Sequence, residues 1–337
     1  MGDPAGVGPE LILRALDEPL VNDLHQLIVF GDLRVLELVS AQVAAPLPSN
    51  LAVIPTETWV DPKFHPPVSQ PVLVDLHNVD VTRLEPGRVD RECGRASFQF
   101  IEAAIEAIES GRIDAITTAP ICKEAWMLAG YHYPGHTELF AERAAAQRWC
   151  MMQYSKEITC AFVTVHIAFA DVPQQLSTRR IVDTIELLAD TLHMLRRRKP
   201  RIVVLGLNPH AGEGGLFGYG EEEQIIAPAV SEAVNNGLLV EGPVPPDTAF
   251  LPTKRQETDG YVCMYHDQGH IPVKALAFES AVNTTLGIDL VRTSVDHGTA
   301  FDIAWQGKAQ PSSLFAAIQL AGELVIARRN RDSPTAS

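Results

Sequence analysis

Short apolar runs alternate with amphipathic helical segments along the whole chain. The runs 27–32, 159–165, 202–206 and 261–264 are long enough for buried strands and too short for helices. Segment 98–111 shows the complementary pattern, with large apolar residues at helical spacing and a glycine at its end. Because strands that alternate with helices form parallel sheets, we expect an α/β fold with a largely parallel sheet and helices on both of its faces.

The composition limits the class of partner and the compartment. The chain has 337 residues, 46% of them hydrophobic, which suffices for two domains or one large α/β unit. Its formal net charge of −15 argues against a general binder of nucleic acid or of anionic membranes. No apolar run reaches the ~18–20 residues of a membrane span, and no export signal is recognisable. The 5 cysteines are scattered without a CxxC motif, so we expect reduced thiols and a cytoplasmic protein.

Three histidines lie at or just beyond the ends of predicted strands. His166 ends the run 159–165, His210 follows 202–206 after a short turn, and His266 follows 261–264. Open α/β sheets bind ligands at the carboxyl ends of their strands. The three imidazoles could therefore converge on one metal ion and leave a coordination position for water or substrate. A single histidine at a strand end is more often structural, so the residues alone leave both interpretations open.

Two further segments could contact an anion. Segment 2–10 is a glycine-rich turn that leads into a helix, but its spacing is not that of a dinucleotide fingerprint. Contact with an anion at a helix N-terminus and a simple tight turn explain it equally well. Thr137, near the start of another helix, could likewise bind an anion or only cap the helix. A strand normally precedes such a glycine-rich turn, and this sequence begins at the turn. Either an upstream strand is missing from this sequence, or the first sheet forms without it.

Six segments, taken together, resemble the 4-hydroxythreonine-4-phosphate dehydrogenase (PdxA) family. The segments are 2–10, 133–138, 207–215, 242–248, 265–269 and 292–300. They cover essentially the whole chain in order, which makes the resemblance specific. It implies an isocitrate/isopropylmalate-dehydrogenase-like fold, with two α/β/α domains, mostly parallel sheets and an active-site cleft between them. Residues 1–128 and 302–337 would form the first domain, and residues 129–301 the second, with the metal ligands and the dimer interface.

The resemblance also implies a reaction, its cofactors and an assembly. Members of the family use NAD or NADP and a divalent metal to oxidise the secondary alcohol of a phosphorylated hydroxy acid, and the ketone then loses carbon dioxide. Zn²⁺ is the expected ion, with Co²⁺ and Mg²⁺ as alternatives. The expected reaction is that of pyridoxal phosphate biosynthesis. The expected assembly is a homodimer in which the metal site is shared between subunits.

The matched positions assign roles to individual residues. The metal ligands implied by the resemblance are His166, His210 and His266. The implied substrate contacts are His136, Thr137, Lys274, Asn283 and Arg292. Among these, Lys274 and Arg292 would supply cationic donors for phosphate or carboxylate. The candidates for proton transfer are Lys274, Asp247 and Asp267, and the sequence does not choose among them. The expected cofactor contacts are Asp247, Asp296, His297, Gly298 and Thr299.

Two departures from the family pattern leave the substrate open. His270 follows Gly269 where the biosynthetic enzymes carry an apolar residue, and segment 153–157 lacks the usual glycines. Both features are more typical of paralogues that act on 4-phosphoerythronate, 4-phosphothreonate or cis-dihydrodiol carboxylates. Two functions of other classes compete with a dehydrogenase. One is a zinc hydrolase that uses the three histidines and a bound water, and the other is a catalytically silent protein that binds metal or phosphate.

Overall fold

Parallel pairing dominates the strands, which confirms the α/β architecture expected from the sequence. The structure is a computed structural model that describes residues 1–22 and 24–332. The chain forms two units. The first comprises Met1–His136 with Leu290–Gly322, and the second comprises Thr137–Asp289 with the described residues from Glu323 onward.

The strands are short and mostly buried. In chain order they are β1 (Ile28–Gly31), β2 (Ala52–Pro55), β3 (Val72–Asp75), β4 (Ile116–Thr118), β5 (Cys150–Tyr154), β6 (Thr159–Phe162), β7 (Arg201–Leu205), β8 (Leu239–Val244), β9 (Gly260–Cys263), β10 (Val282–Leu286) and β11 (Arg292–Val295).

The helices range from single turns to helices of 21 residues. In chain order they are α1 (Gly8–Asp17), α2 (Pro19–Asn22), α3 (Leu33–Val43), α4 (Thr56–Trp59), α5 (Arg91–Glu109), α6 (Lys123–Ala129), α7 (His136–Arg143), α8 (Val172–Gln175), α9 (Thr178–Arg196), α10 (Ala227–Asn235), α11 (Pro246–Ala249), α12 (Pro252–Glu257), α13 (His266–Ala277) and α14 (Ser312–Asp332). Short 3₁₀ segments occupy Phe169–Asp171 and Phe301–Ile303, a π-turn occupies Glu222–Ile226, and Pro209–Gly215 is an irregular turn with non-helical backbone angles. None of the helices in the described part of the chain has the length and hydropathy that crossing a membrane requires.

The first unit contains a small parallel sheet and a separate parallel pair. Strands β1 and β2 flank β3, and β4 pairs with β11. The glycine-rich segment 2–8 joins the end of β4 through a hydrogen bond from the Asp3 amide to the Pro120 carbonyl (2.9 Å). Helix α1 is the first regular element among residues 1–22. The glycine-rich turn therefore lies beside the carboxyl end of β4, where polar side chains gather.

The second unit contains six neighbouring strands of a mixed sheet, with helices on both faces. Its strand order is β10-β5-β6-β9-β7-β8, in which β5 runs antiparallel to β10 and β6 and the remaining neighbours are parallel. Helices α9 and α10 bury their apolar stripes in one core cluster, and α13 contributes Val273 and Ala277 to another. Since β6, β9 and β7 run parallel, the residues that follow them emerge at one edge of the sheet.

The unit boundaries differ from those expected from the sequence. The change between units lies at His136/Thr137 and Asp289/Leu290, rather than near 128 and 301. Helix α14 contributes its residues to Gly322 to the first unit and those from Glu323 to the second. A continuous helix gives no sequence signal at such a change. Residues 333–337, which the sequence-based division places in the first domain, lie outside the described residues.

Gly94 allows close packing of α5 on α6, and this contact can be tested. A Cβ atom at Gly94 would clash with the backbone carbonyl of Ala125. We expect Gly94→Ala to force the helices apart and to lower the free energy of unfolding by about 1–3 kcal/mol. Chemical denaturation measures this change. Glu106→Ala, at an exposed position of the same helix, is the matched control and should stay within about 0.5 kcal/mol of the parent. Equal stability of Gly94→Ala and the parent would contradict the packing argument.

Candidate functional site

His166 and His266 lie side by side at the carboxyl edge of the second sheet. Beyond the strand ends, hydrogen bonds continue from the amides of Val163 and Thr164 to the carbonyls of Cys263 and Met264 (2.9 and 3.2 Å). This pairing holds the two following segments together. As a result, the centroids of the two imidazole rings are 5.7 Å apart. With metal–nitrogen bonds of about 2.0–2.1 Å, this separation suits two imidazoles that bind one ion.

Gln268 fixes the turn that carries His266, a role that the sequence analysis missed. Its buried side chain accepts a hydrogen bond from the Met264 amide and donates one to the Gly206 carbonyl, both at 2.7 Å. One amide group therefore ties the end of β9 to the end of β7. The signal in the sequence was a polar residue at a position of α13 that faces the sheet.

His210 lies in an exposed loop with an unusual backbone. Residues 210–214 all have left-handed φ and ψ angles, including the non-glycine residues His210, Ala211 and Glu213. Such a conformation costs roughly 1–3 kcal/mol at each non-glycine residue. Glu222 holds the start of this loop in place, because one of its carboxylate oxygens accepts hydrogen bonds from the amides of Leu207 and Asn208 (2.9 and 2.7 Å). The shape of this loop is therefore imposed from the π-turn at Glu222–Ile226.

Each of the three histidines has a carboxylate at its Nδ1 atom. Glu138 lies 2.8 Å from His166, Glu213 lies 2.9 Å from His210, and Asp267 lies 2.7 Å from His266. A carboxylate partner favours the tautomer in which Nδ1 donates, so that Nε2 is left as the ligand atom. The hydrogen bond and charge of Glu213 also raise the pKa of His210, with a smaller contribution from Asp247.

Within one chain, two of the three expected ligands come together. The donor atoms of His166, His210 and His266 do not all lie within 4.8 Å of one another. Over residues 1–22 and 24–332, the one set of three donor atoms this close belongs to Asp32, Asp75 and His77.

The Asp32, Asp75 and His77 set is better explained as a structural cluster. Asp32 binds the guanidinium and amide of Arg34 and the amide of Val79. Asp75 accepts hydrogen bonds from the amides of Leu33 and His77. These carboxylates already satisfy backbone donors and one cation, and nothing about the cluster requires an ion.

Arg292 is the main cation of the first unit's polar region. It begins β11, is fully buried and donates from Nη2 to the hydroxyl of Thr118 at 2.8 Å. Burial, followed by the charges of Arg292 and Lys123, holds the pKa of His136 well below its ordinary value. The Nε2 atom of His136 is buried and has no hydrogen-bond partner among the described residues. A neutral imidazole beside two cations suits an anionic ligand such as phosphate or carboxylate.

The loop after β11 lies against the glycine-rich turn. Thr299 accepts a hydrogen bond from the Val7 amide (3.0 Å), and a Cβ atom at Gly6 would crowd the Thr299 side chain. The Asp296 amide donates a hydrogen bond to the Ser313 hydroxyl at 3.4 Å, and the Nδ1 atom of His297 lies 3.0 Å from the Gly298 carbonyl oxygen. Four of the five residues expected to contact the cofactor thus lie in one loop beside segment 2–8, and the fifth, Asp247, lies in α11.

Asp3 shapes the glycine-rich turn and was also missed by the sequence analysis. It is fully buried and accepts a hydrogen bond from the Ala5 amide at 2.9 Å. Burial is the largest cause of a pKa raised to about 7 for this carboxyl group. The hydrogen bond to Ala5 and the burial of the carboxyl group give Asp3 a structural role in this turn.

The remaining expected residues occupy separate positions in the second unit. Thr137 is buried near the start of α7. Asn283, in β10, donates to the Met151 sulfur at 2.9 Å. Lys274 is exposed on α13, two turns beyond His266, and Asp247 is exposed at the start of α11.

Comparisons with known proteins agree over nearly the whole chain. The family described as "Pyridoxal phosphate biosynthetic protein PdxA" matches residues 23–321. A 4-hydroxythreonine-4-phosphate dehydrogenase of Desulforapulum autotrophicum is 44% identical over 95% of this chain and 93% of its own. A D-threonate 4-phosphate dehydrogenase of Salmonella typhimurium is 43% identical over 96% and 97%. The crystal structure of a 4-hydroxythreonine-4-phosphate dehydrogenase from Klebsiella pneumoniae has a TM-score of 0.81, at 39% identity and 96% coverage of both chains.

The contact between Glu138 and His166 leads to a prediction about metal affinity. In Glu138→Ala the acceptor of the His166 Nδ1 proton is lost. We expect the affinity for Zn²⁺ or Co²⁺ to fall by about 10–100-fold with the fold retained, because such partners orient the ligand ring. Competition with a chelating dye measures the affinity. Glu232→Ala, at an exposed position of α10 in the same unit, is the control. Equal affinities in both variants would remove Glu138 from this role.

Proposed function

Since the chain belongs to the PdxA family and its relatives are dehydrogenases, we propose that it oxidises the secondary alcohol of a phosphorylated hydroxy acid with NAD or NADP and a divalent metal, and that carbon dioxide then leaves the product. The isocitrate-dehydrogenase-like fold expected from the sequence is that of the family. The observation that carries the proposal is the pair of adjacent imidazoles, His166 and His266, each with Nδ1 held by a carboxylate.

The proposed substrate is 4-hydroxythreonine 4-phosphate, as in pyridoxal phosphate biosynthesis. D-Threonate 4-phosphate is the second candidate, because relatives of nearly equal identity carry that name. Both molecules combine a phosphate group, a carboxylate and a secondary hydroxyl. Because both substrates carry these groups, the relatives support one reaction type but do not distinguish between the two substrates.

Arg292 and His136 are the proposed anion contacts of the first unit. A buried guanidinium stays charged and presents a planar set of donors that matches phosphate or carboxylate. The neutral His136 ring can donate or accept at its buried Nε2 atom. Thr137, Lys274 and Asn283 are the proposed substrate contacts of the second unit.

The donor set suits Zn²⁺ or Co²⁺ better than Mg²⁺, because imidazole nitrogens bind the former and Mg²⁺ prefers oxygen ligands. His166, His210 and His266 would hold the ion through Nε2. When bound, the metal lowers the pKa of the substrate hydroxyl and polarises the ketone, while the nicotinamide accepts the hydride. The carboxylates of Glu138, Glu213 and Asp267 keep the three rings in the ligand tautomer.

A second copy of the chain is the proposed source of the third ligand. The rings of His166 and His266 are adjacent, whereas the donor atoms of His166, His210 and His266 do not all lie within 4.8 Å of one another. Large apolar side chains near these histidines are exposed: Phe169 is 70% exposed, Ile271 67%, Leu216 70% and Tyr219 94%. An apolar surface of this kind marks a protein interface. A homodimer with a shared metal site accounts for both observations.

Lys274 and Asp247 are the stronger candidates for proton transfer. Asp267 is already engaged by the Nδ1 atom of His266, which gives it an orienting role. Lys274 is exposed on α13, and Asp247 lies close enough to His210 to raise its pKa. The proposed cofactor contacts are Asp247 and the loop formed by Asp296, His297, Gly298 and Thr299. A cytoplasmic location fits the 5 cysteines, all of which are free thiols.

An assay of reduced nicotinamide tests the proposed function. Protein is mixed with Zn²⁺ or Co²⁺, NAD or NADP, and either 4-hydroxythreonine 4-phosphate or D-threonate 4-phosphate. We expect absorbance of the reduced cofactor to rise in step with carbon dioxide release. Turnover without nicotinamide would instead indicate a hydrolase. Metal binding without turnover of any phosphorylated hydroxy acid would indicate a silent binding protein.

Arg292→Lys tests the anion contact. Lysine keeps the charge but loses the planar set of donors. With about 1.5–3 kcal/mol for hydrogen bonds to a charged group, we expect KM for the phosphorylated substrate to rise about 10–100-fold. KM for the nicotinamide should stay unchanged. Arg95→Lys, at an exposed ion pair with Glu92, is the matched control. An unchanged substrate KM in Arg292→Lys would show that another cation binds the anion.

A further inference from the structure

We propose that His270 is a positioning residue that sets the ring plane of His266 by stacking on it. This inference rests on the proposed metal site and adds a residue to it. The two histidines lie one helical turn apart on α13, so their side chains share one face of the helix. Their ring centroids are 3.8 Å apart and the planes differ by 8°.

His270 is itself held from several sides. It is 6% exposed, and its ring packs on Phe162 with 4.6 Å between centroids. Its Nδ1 atom lies 3.1 Å from the His266 carbonyl oxygen, and its Nε2 atom lies 3.2 Å from the amide nitrogen of Gln153. A carbonyl can only accept, so Nδ1 must carry the proton and Nε2 accepts from Gln153. The ring is therefore neutral, with one tautomer and one orientation.

The support beneath His270 is rigid. Gln153 is fully buried in β5, directly opposite Asn283 of β10. Gly269 brings α13 onto the sheet, because a Cβ atom there would lie 2.7 Å from the Phe162 ring and 2.8 Å from the Cys263 sulfur. The helix cannot move outward without losing these contacts. The His270 ring is thus held in place against the sheet, and by stacking it holds the His266 ring in place.

His266 needs such support because its own side chain is 39% exposed. The hydrogen bond from Nδ1 to Asp267 restrains one edge of the ring but allows it to swing about that contact. Stacking on His270 restrains the face of the ring and removes this freedom. With edge and face both fixed, Nε2 points in one direction. Residues that orient a metal ligand typically change metal affinity by about 10–100-fold.

Titration of the full-length protein with Co²⁺ alone tests the proposal. The affinity and the visible absorption bands of bound Co²⁺ are measured for the parent, His270→Phe, His270→Leu and His193→Leu. Phenylalanine keeps the stack without the hydrogen bonds, and leucine keeps apolar bulk without a ring. His193 is an exposed histidine of α9 and provides the control. We expect affinity within about threefold of the parent for His270→Phe and a loss of about 10–100-fold, with shifted bands, for His270→Leu.

Two results would overturn the stacking role. One is a His270→Leu protein with the parent's affinity and spectrum, and the other is an equal loss in the phenylalanine and leucine variants. If His270→Leu does not fold by circular dichroism, His270→Met takes its place, since methionine is flexible and has no ring. Failure of the parent itself to bind Co²⁺ would overturn the proposed metal site, and is distinguishable from failure of this inference alone.

Discussion

The candidate metal site depends on the parallel pairing of β6, β9 and β7. Phe162 pairs with Cys263, and Val204 pairs with Val262, so three segments distant in sequence end at one edge of the sheet. These strands are buried on both faces, and a slip of one residue would exchange the side chains that pack in the two different cores. The same burial that stabilises the sheet therefore sets where His166 and His266 emerge.

The sequence was sufficient for features that follow from strand periodicity. It predicted the α/β class and the strand-end positions of His166 and His266, because an apolar run followed by a polar residue marks a strand end. It could not supply the partners of those rings. Glu138 reaches His166 from α7, 28 residues earlier in the chain, and Gln268 reaches Gly206 across 62 residues. The position of His210 was also beyond prediction, since it depends on a left-handed loop rather than on a strand.

The two units carry different parts of the chemistry. The first provides a buried guanidinium and a neutral imidazole, which favour anions in a chain whose formal net charge is −15. The second provides imidazoles whose Nδ1 atoms are occupied, which favour a soft or borderline cation. A family that handles several phosphorylated hydroxy acids can vary the surroundings of either set without altering the other.

The π-turn at Glu222–Ile226 gives the His210 loop an unusual evolutionary sensitivity. Such turns contain one residue more per turn than an α-helix. Deleting one residue from 223–226 would restore ordinary helical geometry and rotate Glu222 by about 100° relative to α10, away from the amides of Leu207 and Asn208. Without that acceptor, the left-handed segment would relax to a commoner shape. A length change in a neighbouring turn, with every histidine retained, is thus a route by which a descendant of this chain could lose the proposed metal site.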